Sequence, residues 1–164
     1  MITVLIADDQ TMFGSALASL INEEEDLEIV RVCRDGQEAL DSIVTYIPNV
    51  ALLDIEMPGA TGIEAAAELA RSGLTSQTGA PVRSLILTTF RRPGYLRRAL
   101  EAGASGFVVK DGTASQLAQA VRRTAAGLRV VDSVLAEEAK WQGSSPLTGR
   151  ETEVLRAAET AGSV

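Results

Sequence analysis

Histidine is absent from this 164-residue sequence, and cysteine occurs only once, at Cys33. The lack of histidine excludes histidine-based acid–base catalysis, histidine metal ligands and a role as a phosphohistidine donor. A single cysteine cannot form an internal disulfide, and Cys33 lies in an apolar run where a small core residue is expected. We therefore expect a reducing, cytoplasmic location.

Long apolar runs and an excess of basic residues are also missing. No run approaches the roughly 18 apolar residues of a membrane span, and the sequence begins in a strand pattern without a basic-then-apolar leader. The 15 basic residues are outnumbered by 22 acidic ones, which gives a net charge of −7. We expect no membrane partner, and this charge argues against nucleic-acid binding by this segment itself.

Short apolar runs alternate with longer segments of helical periodicity along most of the chain. Strands are predicted at five places, each followed by a helix: residues 2–7, 27–33, 50–53, 82–88 and 105–109. This alternation is typical of βαβ units with right-handed crossovers. The predicted fold is α/β, with a doubly wound five-stranded parallel sheet in a three-layer α/β/α sandwich over residues 1–128. The stretch 72–81, rich in Gly, Ser and Thr, is predicted to be a flexible surface loop.

Polar side chains follow four of the predicted strands. Asp8 and Asp9 follow the first strand, Asp54 the third, Thr88 the fourth and Lys110 the fifth. Parallel strands bring these positions to one sheet edge, where ligand sites of open α/β sheets lie. Three carboxylates without a cation would repel each other and raise at least one pKa. Their grouping predicts a Mg²⁺ site beside a phosphoryl group, with Asp54 as a nucleophile that could form an acyl phosphate.

Each of these residues also has an ordinary structural interpretation. Asp8 and Asp9 could cap the first helix, and Asp54 could be a plain metal ligand or turn residue. Taken alone, Lys110 could be a solvated lysine, and Phe107 a core aromatic of the fifth strand. The joint pattern favours a site over coincidence.

Four segments together resemble the receiver domain of two-component response regulators. They are Ile6 to Gln10, Leu52 to Gly59, Leu87 to Thr89 and Gly106 to Asp111. The resemblance covers about residues 1–128 and implies a flavodoxin-like, CheY-like receiver fold. Residues 129–146 are predicted to be a short helix and linker. Residues 147–164 resemble the incomplete start of a LuxR-type helix-turn-helix domain, as in the NarL/FixJ class.

The resemblance implies a role for each site residue. Asp54 would be the phosphoacceptor, and Asp8, Asp9, Asp54 and the backbone carbonyl of Glu56 would bind Mg²⁺. The switch residues would be Thr88, Lys110 and the aromatic Phe107. Glu56 and Phe90 are expected to tune dephosphorylation; for Phe90 we hypothesise that its bulky apolar side chain, two residues after Thr88, shields the acyl phosphate from water. Thr89 stands where the family often has alanine, which would narrow access for a phosphoryl donor.

The implied partners are a sensor histidine kinase, a second copy of the chain in a phosphorylation-dependent homodimer, and DNA bound through the C-terminal domain of the full-length protein. Phosphorylation would thereby regulate transcription. The chain would phosphorylate and dephosphorylate itself but would not be an enzyme acting on an external substrate.

Three other functions share part of this residue pattern. A haloacid dehalogenase-type phosphatase also uses an aspartate nucleophile with Mg²⁺, but it needs a second aspartate where this chain has Glu56. A nucleotide- or flavin-binding module needs a glycine-rich loop after its first strand, where Asp8-Asp9-Gln10 stands here. A receiver that is never phosphorylated would not need Asp54, Thr88 and Lys110 together.

Overall fold

The computed structural model describes residues 1–89 and 93–131. Its elements follow in the order β1 (Ile2–Ala7), α1 (Thr11–Asn22), β2 (Leu27–Cys33), α2 (Gly36–Tyr46), β3 (Val50–Asp54), α3 (Gly62–Ser72), β4 (Arg83–Thr88), α4 (Pro93–Glu101), β5 (Gly106–Val109), α5 (Ala114–Ala125) and β6 (Val130–Val131). All strand pairs are parallel, in the order β2-β1-β3-β4-β5-β6. The predicted α/β fold is confirmed.

Apolar side chains fill both faces of this sheet. On one face α1 and α5 pack through residues such as Leu17, Ile21 and Val121. On the other face α2, α3 and α4 pack through residues such as Ile43, Leu69 and Leu96. The central strands are buried on both sides, which explains their continuous Val, Ile and Leu runs. The three-layer arrangement therefore matches the prediction.

The predicted count of five strands is wrong for the described part of the chain, because Val130–Val131 adds a sixth strand. It pairs in parallel with β5, in the register Gly106↔Val130 and Phe107↔Val131. A side-chain carbon at Gly106 would lie 2.5 Å from the Val130 carbonyl oxygen. Glycine at this position therefore lets β6 approach β5. A two-residue strand has too little alternation of its own to be read from sequence.

Helix ends follow recognisable capping signals. Thr61 with Glu64 and Thr113 with Gln116 form capping boxes at the starts of α3 and α5. The structure does not support the capping interpretation of the aspartate pair, because Gln10 is the N-cap of α1 and no side chain caps it.

The stretch after α3, predicted to be a flexible surface loop, makes hydrogen bonds within itself and to the sheet. Thr75 and Pro81 form an antiparallel bridge, and the Ser76 N–H donates to the Ala80 carbonyl. Asn49 Nδ2 donates to Ser76 Oγ and Thr78 Oγ1, at 3.2 and 3.3 Å. The small polar residues of this stretch thus tie it to the end of the sheet opposite the candidate site.

Several predictions lie outside the described residues: the short helix and linker after residue 131, the helix-turn-helix start at 147–164, and Phe90. Within residues 1–89 and 93–131, no helix combines the length and apolar character needed to cross a bilayer.

Candidate functional site

The candidate site lies where the strand order changes direction. The chain passes from β1 outward to β2 and then returns to β3 on the other side of β1. Such a switch point leaves a crevice at the carboxyl ends of the two central strands. Asp8 and Asp9 directly follow β1, and Asp54 ends the adjacent β3. The topology therefore places all three carboxylates at the mouth of one crevice.

The three carboxylates form a compact cluster. Each offers one oxygen, and these oxygens all lie within 4.8 Å of one another. Asp8 and Asp54 are buried, whereas Asp9 is exposed. Asp8 Oδ1 also accepts a hydrogen bond from the Gln10 N–H at 2.8 Å, which fixes the orientation of this carboxylate.

Lys110 reaches the same cluster from β5, two strands away from β3. Its Nζ lies 2.6 Å from Asp8 Oδ2 and 3.2 Å from Asp54 Oδ1. The Lys110 side chain is only 5% exposed, so the solvated-lysine interpretation does not describe it. Its backbone N–H donates to the Thr88 carbonyl at 2.8 Å, which places the lysine beside the end of β4. The ammonium thus supplies a positive charge inside the carboxylate cluster.

The other predicted residues take different positions around this cluster. Thr88 is buried at the end of β4, between the strands that supply Asp54 and Lys110. Phe107 is fully buried in the core on the face of α4, which is compatible with both its core and its switch interpretation. Glu56 is exposed two residues after Asp54.

Burial and neighbouring charges shift the acidity of Asp54. Loss of hydration raises the pKa of the Asp54 carboxyl to about 6; the charge of Lys110 opposes the shift, and the charges of Asp8 and Asp9 add to it. The predicted rise of one pKa in the cluster is therefore confirmed in direction. Burial rather than carboxylate repulsion is its main cause.

Two glycines allow the backbone to close around Asp54. A side-chain carbon at Gly62 would lie 2.2 Å from the Asp54 carbonyl oxygen, so only glycine lets α3 begin this close to the strand end. A side-chain carbon at Gly36 would lie 1.9 Å from the Ala60 carbonyl oxygen. Gly59, in the loop after β3, has a φ of 77° in the left-handed region. These contacts fix the loop after β3.

The donor set fits a small, hard cation. Mg²⁺ takes six oxygen ligands at roughly 2.1 Å, which puts neighbouring ligand oxygens about 3 Å and opposite ones about 4 Å apart. The separations among the Asp8, Asp9 and Asp54 oxygens are compatible with that geometry after small side-chain adjustments. The exposure of Asp9 leaves an open side for water or a phosphoryl oxygen.

The contact between Lys110 and Phe13 was not predicted from the sequence. The Lys110 ammonium lies over the ring of Phe13, 4.5 Å from the ring centroid. The spacing of Phe13 indicated only that it belongs to the first helix. The available signal was its place in the first turn of that helix, four residues after Asp9, where a side chain can point back toward the strand end.

Comparison with known proteins agrees with this geometry. Residues 4–122 match the response regulator receiver domain family. The chain is similar to the transcriptional regulatory protein DesR of Bacillus subtilis, with 44% identity over 155 residues that cover 94% of this chain and 73% of DesR. It is also similar to the uncharacterized transcriptional regulatory protein YvfU of the same organism, with 42% identity over 96% of this chain and 76% of YvfU.

Solved structures show the same fold at comparable identity. The signal receiver domain of the putative response regulator NarL from Mycobacterium tuberculosis has a TM-score of 0.72 and 32% identity, over 77% of this chain and 97% of that one. The response regulator ChrA, from a heme-sensing two-component system, has a TM-score of 0.70 and 32% identity, over 98% of this chain and 76% of that one. The chain belongs to the response regulator family, as a receiver domain of the NarL type found in LuxR-family regulators.

Proposed function

We propose that this receiver accepts a phosphoryl group on Asp54 from the phosphohistidine of a sensor kinase, with Mg²⁺ held by Asp8, Asp9, Asp54 and the Glu56 carbonyl. The observation that carries the proposal is the buried Asp54 carboxylate, which shares its oxygen cluster with Asp8 and Asp9 and lies 3.2 Å from Lys110 Nζ. A nucleophile, a cation site and a fixed positive charge therefore meet at one strand end.

Asp54 acts as the nucleophile. One of its oxygens attacks the phosphorus, and the new O–P bond forms as the N–P bond of the donor imidazole breaks, with the electron pair leaving on nitrogen. A pKa of about 6 leaves Asp54 mostly ionised at neutral pH, so its nucleophilic form is available. Bound Mg²⁺ would neutralise charge on the transferring oxygens.

Lys110 and Thr88 respond to the new group. Phosphorylation adds roughly two negative charges and three acceptor oxygens at Asp54. Lys110 already contacts Asp54, so its ammonium can turn from the carboxylate oxygen to a phosphoryl oxygen with little movement. The Thr88 hydroxyl can donate to another phosphoryl oxygen from the end of β4. These new bonds would favour a second arrangement of the surface formed by α4, β5 and α5, and the buried Phe107 of β5 would adjust beneath that surface.

Small phosphodonors test the proposal directly. Incubation with acetyl phosphate and Mg²⁺ should add the mass of one phosphoryl group to the intact protein. The adduct should be absent in Asp54→Asn and present in Asp41→Asn, which removes an exposed carboxylate on α2. An adduct that persists in Asp54→Asn would refute Asp54 as the acceptor.

The downstream response would be dimerisation, which would place two DNA-binding domains of full-length regulators on neighbouring half-sites and so change transcription. The curated relatives that are named as transcriptional regulators extend beyond this chain, in line with a further domain for DNA. Beryllofluoride with Mg²⁺ mimics the acyl phosphate. Light scattering should show a larger dimer fraction with this ligand than without it, and an unchanged mass would contradict the dimer proposal.

Glu56 and Phe90 are proposed to set the lifetime of the acyl phosphate. The exposed Glu56, two residues after Asp54, is well placed to influence attacking water. Phe90→Ala and Glu56→Ala should each change the dephosphorylation rate while leaving Mg²⁺ binding by the carboxylates in place. In this scheme the chain turns over no external substrate and acts in the cytoplasm.

A further inference from the structure

The Lys110 ammonium is enclosed from two sides. Asp8 and Asp54 accept its hydrogen bonds on one side, at 2.6 and 3.2 Å. The Phe13 ring lies 4.5 Å from Nζ on the other side. A ring face carries negative electrostatic potential and attracts an ammonium, and the attraction is stronger where water is excluded. Because the lysine side chain is 5% exposed, the contact lies in such a setting.

The backbone of α1 fixes the position of this ring. A side-chain carbon at Gly14, the next residue, would lie 3.3 Å from Val32 Cγ1 and 3.9 Å from Asp8 Cβ. The 3.3 Å contact would be tight, so the absence of that carbon lets the first turn of α1 lie close to Val32 of β2, beside the site. Phe13 is itself partly buried against the core cluster of α1 and α5. The ring is therefore held in place by packing.

Phe13 also borders an apolar groove beside Lys110. A cavity of about 320 Å³ lies between α1 and α5, and Phe13 and Lys110 both line it, together with Leu17 and Leu117. Without the ring, a larger part of the lysine side chain would face this groove and its water. An ammonium that gains water and rotamer freedom is less well aimed at a phosphoryl oxygen on Asp54.

We infer that Phe13 is a positioning residue for phosphoryl transfer, which holds the Lys110 ammonium against the Asp54 carboxylate by cation–π attraction and by covering part of the lysine side chain. The inference rests on the proposed function, since Lys110 matters only if a phosphoryl group arrives at Asp54. Phe13 touches neither the reacting atoms nor the carboxylate oxygens, and it acts through the lysine alone.

The contact can be observed without metal or phosphate. In the metal-free protein, the ring should shift the NMR signals of the Lys110 ε-methylene protons upfield. Phe13→Tyr should keep this shift, and Phe13→Leu should abolish it. Lysine signals that do not respond to Phe13→Leu would overturn the contact.

The kinetic test is a double-mutant cycle on the rate of Asp54 phosphorylation by phosphoramidate at saturating Mg²⁺. Phe13→Leu should slow the reaction by about three- to tenfold, and Phe13→Tyr should stay close to wild type. Met12→Leu, a change at an exposed neighbour on α1, is the matched control and should have no effect. In a Lys110→Met background, Phe13→Leu should cause no further loss.

If Phe13 had only a general packing role, the double-mutant cycle would give a different pattern of phosphorylation rates. If Phe13 only supports the fold, Phe13→Leu will slow the reaction equally with and without Lys110, or not at all, and the inference is then wrong. Phe13→Met provides a second apolar replacement should the leucine variant fold poorly. If wild type itself takes up no phosphoryl group, the proposed function fails, whereas the lysine ring-current shift still reports on the contact.

Discussion

Lys110 donates a 2.6 Å hydrogen bond to Asp8, a residue 102 positions earlier in the chain. Both side chains are almost completely buried. Burial of a single charge is costly, and an ion pair with good geometry offsets much of that cost. The lysine therefore serves as the internal counter-charge of the carboxylate cluster, and a bound cation must share the cluster with it.

Removal of this counter-charge should destabilise the fold. Lys110→Met leaves the buried Asp8 and Asp54 carboxylates without their cation, and we expect a loss of about 2–4 kcal/mol in the free energy of unfolding at pH 7.5. Urea denaturation with EDTA measures it. Mg²⁺ should stabilise the variant more than wild type because it replaces the missing charge. Arg97→Met removes a solvent-exposed charge that pairs with the exposed Glu101, and it should cost far less.

Removal of the Asp54 charge should have the opposite effect. The pKa of Asp54 is about 6 in the folded protein, above the ordinary value of 3.8, so the folded state binds this proton more tightly than the unfolded state. The stability due to this group is therefore present below pH 4 and is lost as pH rises through 6. Asp54→Asn should be more stable than wild type by on the order of 1–3 kcal/mol at pH 7.5, without metal.

The pH profile of that difference is the decisive measurement. The advantage of Asp54→Asn should shrink toward zero near pH 4, whereas Asp41→Asn should follow wild type more closely across the range. An advantage of equal size at pH 4 and pH 7.5 would argue for a packing effect instead.

Gly62 should tolerate no side chain. Its added carbon would lie 2.2 Å from the Asp54 carbonyl oxygen, so Gly62→Ala must push α3 away from β3. We expect a loss of about 1–3 kcal/mol in stability together with weaker Mg²⁺ binding, measured by denaturation and calorimetry. Gly94→Ala in α4 meets nothing within 4 Å and is the control, with no loss expected. Wild-type behaviour of Gly62→Ala would show that the close approach is not needed.

Arg122 links α5 to the turn between α1 and β2. It donates to Asp26 at 2.8 Å and to Glu24 at 3.1 Å, and its hydrogen bond holds the pKa of Asp26 below the ordinary value. The stability from Asp26 is therefore present above about pH 4 and is lost as pH falls toward the lowered pKa. Asp26→Asn should be less stable than wild type at pH 7, and the difference should narrow at acidic pH and in high salt.

Much of this fold could be read from sequence because the first five strands and the helices between them each carry their own apolar pattern. The helices show apolar residues at helical spacing, and the central strands are continuous apolar runs. The site residues were equally accessible, because a parallel sheet brings residues at the ends of its strands to one edge whatever their separation in the chain. This rule predicts from the sequence that Asp54 and Lys110 lie close together.

The features that were missed depend on contacts between distant segments. Val130–Val131 is a strand only because β5 offers an open edge beside Gly106. The turn after α3 is joined to the sheet by Asn49, whose side-chain amide donates to Ser76 at 3.2 Å. The periodicity of the sequence around Val130 or Ser76 does not indicate that it contacts β5 or Asn49. It likewise does not indicate that the Phe13 ring lies over Lys110.

The pairing of β6 with β5 couples the last described strand to the strand that leads to Lys110. Val131 lies alongside Phe107 in the parallel ladder, and Phe107 lies three residues before Lys110 in the chain. Any sliding or tilting of β5 is therefore passed on to Val130–Val131. Because the two strands approach each other closely at Gly106, a displacement of β5 would be transmitted through β6 to residue 131.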